Sequence, residues 1–258
     1  VALDANGNAT ILASDIDNGS TDNISIASMS LDISSFSCDD LGPNTVTLTV
    51  TDGGGNSSSC ESIVTVVDTM DPTVVTQNIT VTLDAMGMAT ILAADIDNGS
   101  SDNCTVVSLT LDVSSFSCAD LGANTVTLTA QDQSDNTGFA TATVTVEDNL
   151  APTVLTQDIT VNLDAMGMAS ITPADIDNGS TDNCTIDIYS LDIDSFSCAD
   201  VGPNTVTLTV IDSSGNSAQA SAVVTVVNPT PTSAPLSGGD QSECALSPLQ
   251  TLTATANV

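Results

Sequence analysis

The nine-residue sequence Asp-Ile-Asp-Asn-Gly-Ser-x-Asp-Asn occurs three times, at residues 15–23, 95–103 and 175–183, always 80 residues apart. Each copy gathers three short carboxylates: Asp15, Asp17 and Asp22, then Asp95, Asp97 and Asp102, then Asp175, Asp177 and Asp182. Two asparagines add amide oxygens, and one Gly allows a sharp bend. Such a loop suits a hard divalent cation, because Ca2+ takes about six to eight oxygen ligands from carboxylates and carbonyls. The Asp-x-Asp-x-Asn/Asp-Gly frame and closing Glu of an EF-hand are absent. Other aspartates, such as Asp4, Asp32 and Asp40, read as turn residues that accept backbone N–H groups.

The composition sharpens this chemistry. The 258 residues contain no Lys, Arg or His against 33 acids, of which only Glu61, Glu147 and Glu243 are not Asp. Salt bridges between side chains are therefore impossible. Either cations neutralise the acids or the fold carries its own repulsion. Nucleic acid is excluded as a partner, since nothing can neutralise phosphates. Disorder is excluded by the 41% hydrophobic content and its clean alternation. No apolar run of about 18 residues is present to span a membrane, and no signal peptide is recognisable. The chain reads as a piece of a larger protein.

The elements that must position the loops follow the same 80-residue period, the signature of an array. In the second copy, residues 73–83 alternate apolar and polar side chains as a half-buried strand does. Residues 84–87 turn, 88–94 return, and the acidic loop follows. Residues 104–111 form a further strand, with 115–118 expected to come back along it. Residues 125–129 and 139–146 complete the unit, with a second acidic loop at 132–136. Several short strands with frequent turns define an all-β fold of tandem immunoglobulin-like β-sandwich modules, head to tail. The expected modules are 1–72, 73–152 and 153–229. Residues 230–258 form a Pro-rich linker and the start of a further module or a donor strand. Val1 aligns with Val81, so the first module lacks the beginning of its first strand. Phe36, Phe116 and Phe196 recur as the large core residue of each unit.

A core of about 80 residues with few aromatics is marginal and invites staples. Cys104 and Cys118, and Cys184 and Cys198, are expected to pair across a hairpin. Cys38 is expected to pair with Cys60, because the first copy has Ile24 where the others have Cys. Cys244 is left over. Zinc is disfavoured by the lack of His and of any C-x-x-C. Disulfides imply an extracellular place.

In an immunoglobulin-like sandwich both acidic loops lie at one end, and the last strand leaves at the other. Head-to-tail stacking is then expected to bring Asp68 and Asp71 against Asp95, Asp97, Asp102 and Asp132. It likewise brings Asp148 against Asp175, Asp177, Asp182 and Asp212. Carboxylates so crowded repel strongly without a cation, so Ca2+ is expected at these junctions.

Three motifs carry a resemblance: Asp-Ile-Asp-Asn-Gly-Ser-x-Asp-Asn-Cys, Leu-Asp-x-x-x-Phe-Ser-Cys, and Gly-x-Asn-Thr-Val-Thr-Leu-Thr. Over residues 1 to 228 they resemble the hyalin-repeat-like, immunoglobulin-like modules of large Bacteroidota surface proteins. Gliding-motility adhesins and other type IX-secreted proteins are among these. Glu147-Asp148-Asn149-Leu150-Ala151-Pro152 more loosely resembles the calcium linkers of cadherins. The resemblance implies a secreted or surface-anchored stalk, adhesin or filament. The total lack of Lys and Arg departs from the family's usual pattern.

Catalysis is not expected. No His or Lys can act as base or nucleophile, and an acid set copied three times speaks for structure. The expected role is a calcium-stiffened structural or adhesive segment, whose partners are neighbouring modules of the same parent chain. The alternatives are a filament subunit joined by strand complementation and a surface-glycan-binding module. The last has little aromatic platform, with Tyr189 and four Phe.

Overall fold

A computed structural model describes residues Val1 to Asn228. The expectations for Cys244 and for a strand over 249–258 lie outside the described residues. Most elements are strands, as the alternation of Val, Ile and Leu with Thr and Ser dictates, joined by short helical turns. Among the described residues no helix is long and apolar enough to cross a membrane. The chain divides into two compact units. One holds residues 1–81 with 89–146 and carries two repeats; the other holds 82–88 and, of the described residues, 147–228.

In the second repeat one sheet runs Ile79–Thr82, Thr137–Glu147, Gly122–Asp132, Val106–Leu111. The third repeat has the same order, with Ile159–Asn162, Ser217–Val227, Gly202–Asp212 and Ile186–Leu191. There the first strand lies parallel to the last, Ile159 opposite Val224 and Asn162 opposite Val227. The other pairings are antiparallel. A second small sheet in each repeat joins the strand after the first turn to the Ser-Phe-Ser strand, as in Ala169 opposite Phe196. Parallel closure of one sheet by an N-terminal strand, facing a second sheet, makes each repeat an immunoglobulin-like sandwich in tandem with the others.

Alternation sets the core. In the second repeat Val126, Leu128, Ala142, Val144 and Val146 point inward and are buried. Phe36, Phe116 and Phe196 are 3%, 2% and 2% exposed, each the large side chain at the centre of its repeat.

Three local expectations are corrected. The strand expected over 73–83 is regular only at Ile79–Thr82; earlier, Thr73 and Thr76 make single bridges to Ser101 and Asp97. The return strand stops at Thr90, and Ala93–Ile96 forms one helical turn inside the acidic loop. The Asp95 carboxylate, accepting from the Leu92 N–H at 2.7 Å, caps that turn. The segment Ser115–Ser117 does not fold back on Val106–Leu111. It crosses to the other sheet and pairs with Met88–Thr90. Asp112 makes the crossing tight, its carboxylate accepting from the Val113 N–H at 2.8 Å and the Thr127 N–H at 2.7 Å.

Phe116→Ala is expected to remove about 3–5 kcal/mol from the second repeat. Urea unfolding of the variant beside the parent protein measures it.

Candidate metal centres at the acidic loops

The structure divides the aspartates of the nine-residue motif into three jobs. The first, at Asp15, Asp95 and Asp175, faces back to the residue before the helical turn. Asp15 accepts from the Leu12 N–H at 2.7 Å, and Asp175 from the Thr172 N–H at 2.6 Å and its hydroxyl at 2.8 Å. The second, at Asp17, Asp97 and Asp177, closes the bend, accepting from the N–H of Ser20, Ser100 and Ser180 at 3.0, 3.0 and 3.1 Å. Both jobs are those of turn-forming carboxylates.

The third position points elsewhere. One oxygen of Asp102 accepts from the Cys104 N–H at 2.9 Å, and one of Asp182 from the Cys184 N–H at 2.9 Å. The other oxygen of each is buried with no hydrogen-bond partner. Asp68, 6% exposed, meets Asp102: its Oδ1 accepts from the Asn103 side-chain amide at 3.1 Å and the Met70 N–H at 3.2 Å. Its Oδ2 is buried and without a donor, as is Oδ1 of Asn103. Asp148, 4% exposed, repeats the arrangement, with Oδ1 bonded to Asn183 and Leu150 at 3.1 Å each and Oδ2 without a donor.

Among the described residues, two groups each have their potential ligand atoms within 4.8 Å of one another: Asp68, Asp102 and Cys104, and Asp148, Asp182 and Asp212. The sulfur of Cys104 is bound in a disulfide and supplies no thiolate, so the first group is a carboxylate pair, one member of which accepts from the Asn103 side-chain amide. Asp132 is buried, but its own turn engages both oxygens: Ser134 and Asn136 donate N–H groups at 2.8 Å and the Asn136 amide donates at 2.7 Å. Asp212 makes the same turn bonds with Ser214 and Asn216, yet one carboxylate oxygen also falls within its group. Asp71 is exposed, and Asp22, which caps only the Ile24 N–H, is exposed as well. Of the expected acids, the structure therefore gathers Asp68 with Asp102, and Asp148 with Asp182 and Asp212. Asp15, Asp17, Asp95, Asp97, Asp175 and Asp177 serve the loop instead. Asn103, one of the two asparagines of the motif, donates its side-chain amide to Asp68 and keeps its own Oδ1 buried without a donor.

The donor set fits a hard cation. A buried carboxylate oxygen without a donor costs several kcal/mol unless neutralised, and this chain has no basic side chain to do it. The residues that would hold the ion are Asp68 and Asp102 in one group and Asp148, Asp182 and Asp212 in the other. The exit acid is lost after the third repeat, where Asn228 stands in the place of Asp68 and Asp148.

The cysteine pairings differ from those expected. Cys38 bonds to Cys104, with Cα atoms 5.5 Å apart, so the first repeat is joined covalently to the second. Cys60 is free and exposed, which overturns Cys38–Cys60. The Cys104–Cys118 hairpin pair is overturned too. Val106 sits opposite Asp132 at one end of the strand Gly122–Asp132, while Cys118 precedes its other end. That strand is 11 residues long, a span of roughly 33 Å. The register of Ile186 with Asp212 separates Cys184 from Cys198 in the same way, although both are disulfide-bonded, as is Cys118. Gly7 lets the staple close. Its φ is +72°, and a Cβ there would lie 2.6 Å from the Asn103 carbonyl oxygen and 2.7 Å from Cys38 Sγ. The Asn103 amide also donates to the Asp4 carbonyl at 3.2 Å. One tripeptide, Asp102-Asn103-Cys104, thus carries the staple and half of the acidic group.

Hydrogen bonds hold several turn carboxylates below the usual range. The Asn8 N–H does so for Asp4, the Ser20 hydroxyl for Asp17, the Thr47 N–H for Asp32 and the Asn56 side chain for Asp52. The Thr127, Thr172 and Ser197 N–H groups do so for Asp112, Asp175 and Asp200.

No family model matches this chain, and no curated protein matches it. Among solved structures it is similar to the PcdhgB3 EC1-4 fragment, at 13% identity and a TM-score of 0.33, covering 78% of this chain and 65% of that one. Protocadherin Gamma B2 extracellular cadherin domains 1-5 match at 15% identity and a TM-score of 0.35, covering 74% and 47%. Titin domains I67-I69 match at 10% identity and a TM-score of 0.34, covering 82% and 84%. The chain spans less than two thirds of the length of these two protocadherin fragments. The immunoglobulin-like assignment stands on the strand pairing itself.

Disulfide mapping, unfolding of a Cys38 variant and melting in acid check these assignments. Mass spectrometry after Asp-specific digestion, without reduction, is expected to show the Cys38–Cys104 cross-link and an alkylated Cys60. Breaking the link with Cys38→Ser is expected to cost on the order of 4 kcal/mol, given the chain it closes. Carboxylates with depressed folded values contribute stability above their unfolded value of about 3.9 and lose it as pH falls through the folded value. In about 1 M salt, where a screening length of about 3 Å mutes general repulsion, the melting temperature is expected to fall between about pH 5 and pH 3.

Proposed function

We propose that this chain is a structural and adhesive segment of a large extracellular surface protein, with Ca2+ bound at the two acidic groups. The observation that carries the proposal is the set of buried carboxylate oxygens without donors, at Asp68 and Asp102 and again at Asp148 and Asp182, in a chain with no cationic side chain. The ion would neutralise these oxygens. At the first group it would tie the segment leaving the first repeat to the acidic loop of the second, beside the disulfide. Asn136, donating to the Asp68 carbonyl at 3.3 Å, and Asn216, donating to that of Asp148 at 3.0 Å, hold the exit segments in place. The disulfides support an oxidising, extracellular location. The repeated sandwiches suit spacing and adhesion, and the motif resemblance favours a bacterial surface protein of the gliding-adhesin kind.

Thermal unfolding with a chelator and then with added Ca2+ tests the proposal. Saturating Ca2+ is expected to raise the melting temperature, with a stabilisation of about 2.7 kcal/mol at a hundredfold excess over Kd. Asp68→Asn together with Asp148→Asn is expected to abolish the response while leaving the ion-free protein at least as stable, since each removes a buried charge. A melting temperature indifferent to Ca2+ in the parent protein would contradict the assignment.

A further inference from the structure

The Cys38–Cys104 bond ends inside the first acidic group. The Cys104 sulfur lies within 4.8 Å of ligand oxygens of Asp68 and Asp102, and the Cys38 sulfur is joined to it. The second group holds carboxylates alone. In the oxidised protein the two sulfurs are spent on each other, and the first group offers a cation only oxygen. Cysteines are made as thiols, however. Until the bond forms, this place holds two sulfurs beside two carboxylates.

The surroundings suit a ligand. Asp68 is 6% exposed, and its Oδ2 has no donor. Oδ1 of Asp102 is likewise buried and without a donor. The remaining oxygens are held: Asp68 Oδ1 accepts from the Asn103 amide at 3.1 Å, and Asp102 Oδ2 accepts from the Cys104 N–H at 2.9 Å. The same Asn103 amide reaches Cys104 Sγ at 3.9 Å, the place of an outer donor to a thiolate. Outer bonds of this kind orient metal ligands. Cys38 and Cys104 also pack against the core of the first repeat, which holds both in place independently of the bond between them.

We infer that the thiol form of this group is a zinc site, with Cys38, Asp68, Asp102 and Cys104 as its four ligands. Thiolate sulfur turns a hard oxygen site toward zinc and away from Ca2+. Four ligands meet the tetrahedral demand of Zn2+, whose bond lengths set ligand atoms about 3.3–3.8 Å apart. The oxygens and the Cys104 sulfur therefore have to close by at most about 1.5 Å. Cα atoms 5.5 Å apart let the two sulfurs separate by side-chain rotation. The four residues come from two repeats, so no C-x-x-C spacing announces them. Two thiol protons leave to solvent as the ion enters. Oxidation by a disulfide-bearing donor reverses this. The Cys38 and Cys104 sulfurs give up two electrons and bond to each other, the donor disulfide takes those electrons with two protons and leaves as thiols, and Zn2+ is expelled. Zinc thus joins the first two repeats until the covalent staple replaces it. The inference shares two acids with the proposed Ca2+ site but does not rest on that reading, because sulfur ligands and a different ion carry it.

In the test, the full chain is reduced with a phosphine, which takes oxygen from water as each disulfide gains two electrons and two protons. The reductant is then removed without air. Alkylation of each cysteine is followed by mass spectrometry with and without Zn2+. Saturating Zn2+ is expected to slow alkylation of Cys38 and Cys104 by about tenfold or more, because the metal holds the reactive thiolates. Exposed Cys60 is expected to keep its rate. Asp68→Asn together with Asp102→Asn is expected to raise the Zn2+ concentration for half-protection by about tenfold or more. Where reduction unfolds the repeats, Zn2+ is expected to restore the strand circular dichroism of the parent and not of the double variant. Equal alkylation of Cys38 and Cys104 with and without Zn2+, equal protection of Cys60, or unchanged half-protection in the double variant would overturn the inference. Failure of the Ca2+ reading shows separately, as an oxidised protein whose melting ignores Ca2+.

Discussion

Without a single basic side chain, every negative charge in this protein must be answered by an N–H, a hydroxyl, an amide or an ion from solution. This constraint explains why the acids are nearly all Asp. A short carboxylate reaches the backbone N–H groups two to four residues away, as Asp4, Asp52, Asp132 and Asp212 do in their turns. The turns between strands are thereby built from the same residues that give the chain its charge. Among the described residues, the buried carboxylate oxygens left without donors are those of Asp68, Asp102, Asp148 and Asp182, where the loop aspartates face an exit segment.

The fold was largely legible in the sequence, because alternation and an 80-residue period are strong signals. Inward Val126, Leu128, Val144 and Val146, and the recurring Phe, sit where their spacing places them. What the spacing misstated was the path after Leu111. A three-residue link between two strands reads as a hairpin, yet in a sandwich it also serves to change sheets. That choice is made by tertiary packing of Phe116 and not by the local sequence. The disulfide expectation failed for the same reason, since Cys38 and Cys104 become neighbours only when consecutive repeats meet.

The acidic sites were legible in part. The motif pointed to the right loops, and the sandwich argument pointed to Asp68 and Asp148 as their partners. It could not separate carboxylates that cap a helical turn from those aimed inward, because the turn at Ala93–Ile96 and its equivalents leave no periodic signature in four residues. Once formed, that turn consumes Asp95 and frees Asp102.

The Cys38–Cys104 bond has a mechanical side. Residues between the two cysteines, a separation of 66, are bypassed when the chain is pulled from its ends, because tension runs through the sulfur bridge. Roughly 220 Å of potential contour length is thereby locked away. Under load the segment from Cys38 to Cys104 cannot be drawn out, so extension of the first two repeats is confined to the chain before the first of these cysteines and after the second.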